Sequence, residues 1–389
     1  MINIAKGFQF GGTACGIKEN KSLDLSMIVS DEHCVAAGVY TQNLIRAASI
    51  DWNRNVTPSA SVRAVITNSG NANACTGSQG EQDCKRTAEI AAEKIGCGAN
   101  QVIVLSTGVI GHFLPMDKIE TGISQCKLGH SEQDFLNSAD AILTTDNSRK
   151  TASVSTTIDG YDGMITGMAK GAGMIGPNMA TMLSVITTDF RMSASTASQF
   201  LTEAVNRSFN RISVEGHTST NDAVVLLASG IGPDVGSSQQ FADSLQSVCL
   251  NLAKQIPADG EGATKLIEIR VSGAVNDNEA EKVARKIAES ALVKTAVTGC
   301  DPNWGRIVSA AGYAGAEIQL QQMSLRINDV CVFEKGGPCQ FDEAATSQIM
   351  VDADTIILEL AIGGGDGKAV HWTSNLTADY VRINSEYRT

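Results

Sequence analysis

Residues 170–189 read KGAGMIGPNMATMLSVITTD, and the fold class turns on how this stretch is taken. Gly171-Ala172-Gly173-Met174-Ile175-Gly176 has the G-x-G-x-x-G spacing of a dinucleotide fingerprint. That fingerprint works only where a helix opens out of the turn, because the pyrophosphate sits on the helix N-terminus. Here Pro177 and Asn178 follow the third glycine, and MLSVITTDF then reads as a buried strand. A strand offers no helix N-terminus, so a doubly wound nucleotide fold is set aside. Thr181 stands at the mouth of that strand, directly behind the Gly-Pro-Asn turn.

Around this stretch, short apolar runs alternate with helical patterns. Strands are expected at 62–70, 100–111 and 150–158, and again over DAVVLLASG, which ends at Gly230. Helices are expected at 78–96, at 131–143 with Ser131 as N-cap, and at 195–210. Residues 277–297 form the clearest amphipathic pattern and read as one helix. Beyond it, SLRINDVCVF and DTIILELAIGGGDGKAVHW read as strands, the last pair as a hairpin around Gly363–Gly367. No G-K-[ST] follows those glycines, so they read as a turn and not as a phosphate cradle. Strands occur both singly between helices and in neighbouring pairs. The expected fold class is therefore α+β (layered α/β): mixed β-sheets covered by helices. A catalytic core over 1–276 would precede a smaller C-terminal α/β domain over 277–389.

The totals describe a soluble globular protein. A chain of 389 residues exceeds one ordinary core. Its net charge of −12 argues against nucleic-acid binding, which needs clustered Lys and Arg. None of the 10 cysteines forms a C-x-x-C pair, and scattered cysteines in such a chain read as reduced. Cys126 and His130 lack a second pair to complete a zinc site, so no metal is expected. The start MINIAKGFQFGG has neither a charged n-region nor an apolar h-region. No apolar run approaches the ~20 residues of a membrane span. These features point to the cytoplasm.

A threonine hydroxyl needs a base, and none of the 5 histidines lies near Thr181 in sequence. One solution is the threonine's own α-amine, freed when the preceding peptide bond is cut. Such an amine titrates near 7.7–8.0, leaving a useful neutral fraction at neutral pH. Hydroxyl and amine then share one residue, so their proximity needs no further device. Taken alone, a threonine opening a strand reads better as an ordinary strand residue than as a nucleophile.

The wider pattern favours the nucleophile. Segment 170–189 resembles the cleavage region of the ornithine acetyltransferases, the bifunctional glutamate N-acetyltransferases of arginine biosynthesis. So do GFQFGGTACGIK (7–18), AAGVYTQN (36–43), NSGNANACTG (68–77), STGVIG (106–111), AILTTD (141–146) and SFNRISVEGHTSTND (208–222). DGEGATKLIEI (259–269), DPNWGRI (301–307) and the terminal DYVRINSEYRT (379–389) extend the likeness over essentially the whole chain.

The resemblance implies an αββα-like core and self-cleavage between Ala180 and Thr181. That would give an α-chain 1–180 and a β-chain 181–389, paired into an α2β2 heterotetramer. It implies ping-pong transfer of acetyl from N2-acetylornithine to glutamate through acetyl-Thr181. Ornithine and N-acetylglutamate are released; no cofactor is implied, with acetyl-CoA as a further donor in bifunctional members. Thr107 and Gly108 match the oxyanion hole. Asn147, Lys170, Thr181, Glu261, Asn384 and Thr389 match substrate contacts. A lysine at 170 would favour a substrate carboxylate and keep the Thr181 amine neutral. Asn147 stands where the family commonly has threonine, and it still offers a hydrogen bond. His217 replaces an expected Asp or small residue and is given no role. The alternative is an autoprocessing aminopeptidase or amidase with the same threonine nucleophile.

Overall fold

The computed structural model describes residues 2–176 and 182–386. The chain divides into two compact units, one from 1–210 and 217–256, the other from 211–216 and 257–388. The strand Leu266–Ala274 therefore belongs to the second unit, ahead of the boundary expected at 276. It pairs on both sides with strands of that unit, along Thr355–Ala361 and Gly367–Ser374.

The first unit is built on one mixed sheet. Its strand order is Val102–Val109, Ser59–Asn71, Leu25–Tyr40, Ala223–Ala228, Leu183–Thr188, Tyr161–Lys170, Lys150–Ile158. Phe8–Thr13 pairs with Leu25–Tyr40 off this path. Side chains alternate as a period of two requires. Met27, Val29, Ala64, Ile66, Val102 and Val104 enter one core, with Ala88 and Ala91 of the helix Gly77–Ile95 and with Ile119 and Ile123 of the helix Met116–Gln125. The alternate residues Ile28, Val65, Ile103 and Leu105 enter another, with Leu183, Val185, Val225 and Leu227.

Register shows how this sheet is arranged. Gly70 and Gly108 pair near the Leu25 end of the long central strand, whereas Lys170, Leu183 and Ala223 pair in turn to its Tyr40 end. In a flat sheet those ends lie roughly 50 Å apart, at ~3.3 Å per residue. Yet Lys170 Nζ sits 3.3 Å from Thr107 Oγ1. The sheet must fold over on itself, and the central strand supplies the bend. Its register with Ser59–Asn71 shifts between Val29 and Cys34, around the exposed Asp31-Glu32-His33. Val248 and Leu252 of the helix Gln239–Ala258 lie where a side chain on Gly167 would project, and so cover the far half. The result is the expected helix–sheet–sheet–helix layering.

The second unit has a seven-stranded sheet covered by helices. Here two sequence expectations are corrected. Thr355–Ala361 and Gly367–Ser374 do not form a hairpin, because Leu266–Ala274 lies between them, parallel to the first and antiparallel to the second. The glycine loop instead crosses the end of that inserted strand, with Gly365 N donating to Gly273 O at 3.1 Å. A hairpin does join Ser324–Ile327 to Val330–Glu334. Its two-residue turn Asn328-Asp329 has φ of 43° and 68°, the left-handed pair such turns demand. The expected helix 277–297 is two, Asp277–Ala288 and Ala291–Thr298. Ser290 ends the first and caps the second, its side chain accepting from Val293 N. Elsewhere the expected helices form within a few residues of their expected bounds. The Ser131 capping box is present, with Asp134 as its partner.

Candidate functional site

The strand Val102–Val109 ends at Thr107-Gly108, both against Ser69-Gly70 of the neighbouring strand. Gly108 has φ +133°, and a Cβ there would lie 2.3 Å from Gly70 C and 2.5 Å from Asn71 N. Only glycine fits so close a backbone approach. Thr107 is buried and its Oγ1 receives the Lys170 ammonium at 3.3 Å. Lys170 is itself buried, at the end of the strand Tyr161–Lys170.

A buried ion pair lies beside it. Asp146 Oδ1 accepts from Lys150 Nζ at 2.7 Å and from Gly171 N at 2.7 Å, and both charged side chains are 0% exposed. Burial raises the Asp146 carboxyl pKa, but Lys170 and Lys150 outweigh it and hold the group at about 2. Asn147, the next residue, is exposed. A second carboxylate, Asp24, gathers the backbone N–H groups of Cys15, Gly16, Ile17 and Lys18 at 2.7–3.1 Å. This folds the loop over Gly70, whose Cβ position lies 2.9 Å from Ile17. Burial pushes the Lys18 ammonium down to about 8; Asp24 opposes that and Lys170 adds to it.

The segment Ser219–Asp222 closes the first unit's cluster. Asn221 Nδ2 donates to Ala72 O at 2.6 Å and Ser106 O at 2.8 Å, tying the two halves of the folded sheet together. Asp222 is fully buried, and its Oδ1 accepts from Met182 N at 3.0 Å. Burial drives its carboxyl up to about 8, against the pull of the Met182 N–H, Thr41, Lys170 and Ser219. Asp24, Asp146, Lys150, Asn221 and Asp222 were not singled out from sequence, although all but Asp24 and Lys150 sit inside the motifs quoted for the resemblance. The available signal was an acid at the mouth of a wholly buried strand, Asp222 before Ala223–Ala228, where no solvent face exists to take it.

In the second unit, Glu261 and Asn384 come together: Asn384 Nδ2 donates to Glu261 Oε2 at 2.9 Å. The turn at Gly262, φ +69°, lets the chain pack on the last helix, since a Cβ there would lie 2.5 Å from Tyr380 N. Thr377 donates to Gly262 O at 2.7 Å and fixes that contact. Ala180, Thr181 and Thr389 lie outside the described residues. The structure thus gathers Thr107, Gly108 and Lys170 in one cluster, and Glu261 with Asn384 in another. Among the described residues no group of three His, Cys, Asp or Glu is placed to hold a metal, and no helix is long and apolar enough to cross a membrane.

Such a cluster suits acyl transfer. A hydroxyl and a backbone N–H at one strand end can serve a tetrahedral oxyanion, and buried lysines attract carboxylates. Comparison with known proteins agrees. The sequence model of the ArgJ family matches residues 9–389. The arginine biosynthesis bifunctional protein ArgJ of Rhodopirellula baltica is 49% identical over 99% of this chain and 96% of its own length. Its namesake in Geobacillus kaustophilus is 44% identical over 99% of this chain and 95% of its own. Among solved structures, the Bacillus halodurans arginine biosynthesis bifunctional protein ArgJ is 42% identical with a TM-score of 0.52. That match takes in all of the solved chain but 53% of this one.

Proposed function

The chain belongs to the ArgJ family, and from that premise we propose how its residues carry the chemistry. It is an acyltransferase of arginine biosynthesis that moves acetyl from N2-acetyl-L-ornithine to L-glutamate. Maturation comes first. The Thr181 hydroxyl attacks the Ala180 carbonyl, the peptide bond shifts to an ester, and water cleaves the ester. This leaves the Ala180 carboxylate and a free amine on Thr181. A solved relative whose whole length matches about half of this chain has the size of one product of such a cut.

In transfer, the Thr181 amine takes the hydroxyl proton as Oγ attacks the acetyl carbonyl. The Thr107 hydroxyl and Gly108 N–H receive the oxyanion, each donor contributing roughly 3–4 kcal/mol. Collapse expels ornithine, whose α-nitrogen takes the proton back. The amine of glutamate then attacks acetyl-Thr181 by the reverse steps, giving N-acetylglutamate. Lys170 draws the substrate carboxylate, and its charge disfavours protonation of the Thr181 amine. Asn147, Glu261, Asn384 and Thr389 complete the substrate contacts, Glu261 suiting a substrate amine. Acetyl-CoA serves as a second donor, and the fragments assemble as α2β2. The observation that carries this reading is the buried Lys170 ammonium on the Thr107 hydroxyl, beside a backbone position open only to glycine.

The test is incubation of purified protein with N2-acetylornithine and glutamate. N-acetylglutamate and ornithine are expected in equal amounts. Release of free acetate instead would mark a hydrolase, and no turnover would mark a binding protein; either overturns the reading.

A further inference from the structure

The strand Val330–Glu334 turns back through Lys335-Gly336, φ 52° and 80°, onto the short edge strand Gly337–Pro338. Cys339 N donates to Val332 O at 3.1 Å. Cys339 therefore lies across the ladder from Val332, one residue along from Cys331. At strand spacings the two cysteine Cα atoms are then about 6 Å apart, within the range a disulfide spans.

Plain alternation would send Cys331 and Cys339 to opposite faces, and a bulge prevents it. The register with Ser324–Ile327 passes from Leu325↔Phe333 to Arg326↔Cys331, leaving Val332 as the extra residue. Val332 and Phe333 both enter the core, where Phe333 stacks on Trp304 with ring centroids 5.3 Å apart. Cys331 is thereby turned to the outer face, opposite the exposed Arg326. Cys339 meets it there. Both thiols are free and half-buried, and their sulfurs lie 3.2 Å apart.

We propose that Cys331 and Cys339 form a dithiol site that a low-molecular-weight disulfide of the glutathione type oxidises, reversibly, to an internal disulfide. Cys331 attacks one sulfur of the small disulfide as a thiolate, forms a mixed disulfide and expels one small thiol. Cys339 then attacks the Cys331 sulfur and expels the other. The protein loses two hydrogens and two electrons, and the small disulfide takes both and leaves as two thiols. The order follows from the contact between them. The hydrogen bond to Cys331 pushes the Cys339 thiol up, so Cys339 keeps its proton and resolves the mixed disulfide. The site shares no residue with the acyl-transfer clusters, and it stands whether or not Thr181 is the nucleophile.

The test is peptide mapping of full-length wild-type protein after exposure to oxidised glutathione. Whole mass is the poorer readout, since the exposed Cys75 can take an adduct of its own. Trypsin cuts after Arg326 and Lys335, so the disulfide should join peptides 327–335 and 336–368, and dithiothreitol should part them. Cys339→Ser removes the resolving thiol and should leave one glutathione on peptide 327–335. Wild-type peptide 327–335 that keeps glutathione without linking to 336–368 overturns the proposal. So do Cys331 and Cys339 that both stay open to alkylation in excess oxidised glutathione, or a Cys339→Ser protein with no adduct on 327–335.

Discussion

Thr181→Ala is expected to stay a single polypeptide of 40.8 kDa and to transfer no acetyl. Both consequences come from one atom. Without Oγ there is no attack on the Ala180 carbonyl, hence no ester, no cut and no free amine. Without the cut, the acetyl group has neither an acceptor oxygen nor a base beside it. Removing the nucleophile of a coupled acyl-transfer site costs on the order of 10⁶ in kcat, so activity should drop to background. Thr181→Ser keeps hydroxyl and amine on one residue and should still yield two fragments. Intact mass and an N-acetylglutamate assay on the same samples check both. A cut Thr181→Ala chain would place the scission elsewhere.

Gly108→Ala should cost the matured enzyme about 10²–10³ in kcat, the loss of one oxyanion donor. The methyl would arrive 2.3 Å from Gly70 C, at φ +133°, a conformation that L side chains rarely adopt. Backbone cannot give way as a flexible side chain can. The paired strand ends must part, and the Gly108 N–H swings off its line. KM should change little, because the donor acts on charge that develops only in the transition state. Thr107→Val removes the neighbouring hydroxyl at nearly constant volume and should lower kcat by a similar factor without straining the backbone. A rise in KM at unchanged kcat for both variants would assign Thr107-Gly108 to ground-state binding. Steady-state kinetics on the cut proteins separates the two.

How much of this was legible in the sequence depends on distance along the chain. Local features were readable: the Ser131 cap, the alternation in 150–158, and the failure of G-x-G-x-x-G to open a helix. Pairing was not, because a strand from far away can enter between neighbours. Leu266–Ala274 did so, undoing the hairpin read around Gly363–Gly367. The folding of the sheet was hidden for the same reason. Asp31-Glu32-His33 in the run Leu25–Tyr40 reads as a polar interruption, and nothing local says that the strand bends there and continues. Ser290 was a cap written inside an otherwise continuous amphipathic pattern. At the site, Thr107, Gly108, Lys170, Glu261 and Asn384 came from the resemblance, not from their own neighbourhoods. Asp146 and Asp222 needed coordinates, since a carboxylate's worth lies in which N–H and which ammonium it meets.

The central claim is that a single residue, Thr181, carries both the attacking oxygen and its base. Mixing wild-type protein with N2-acetylornithine alone, quenching in acid and weighing the products tests it most directly. Two fragments are expected, 1–180 unchanged and 181–389 heavier by one acetyl group, which glutamate then removes. An uncut chain that still passes acetyl to glutamate, or an acetyl group carried on 1–180, would contradict it.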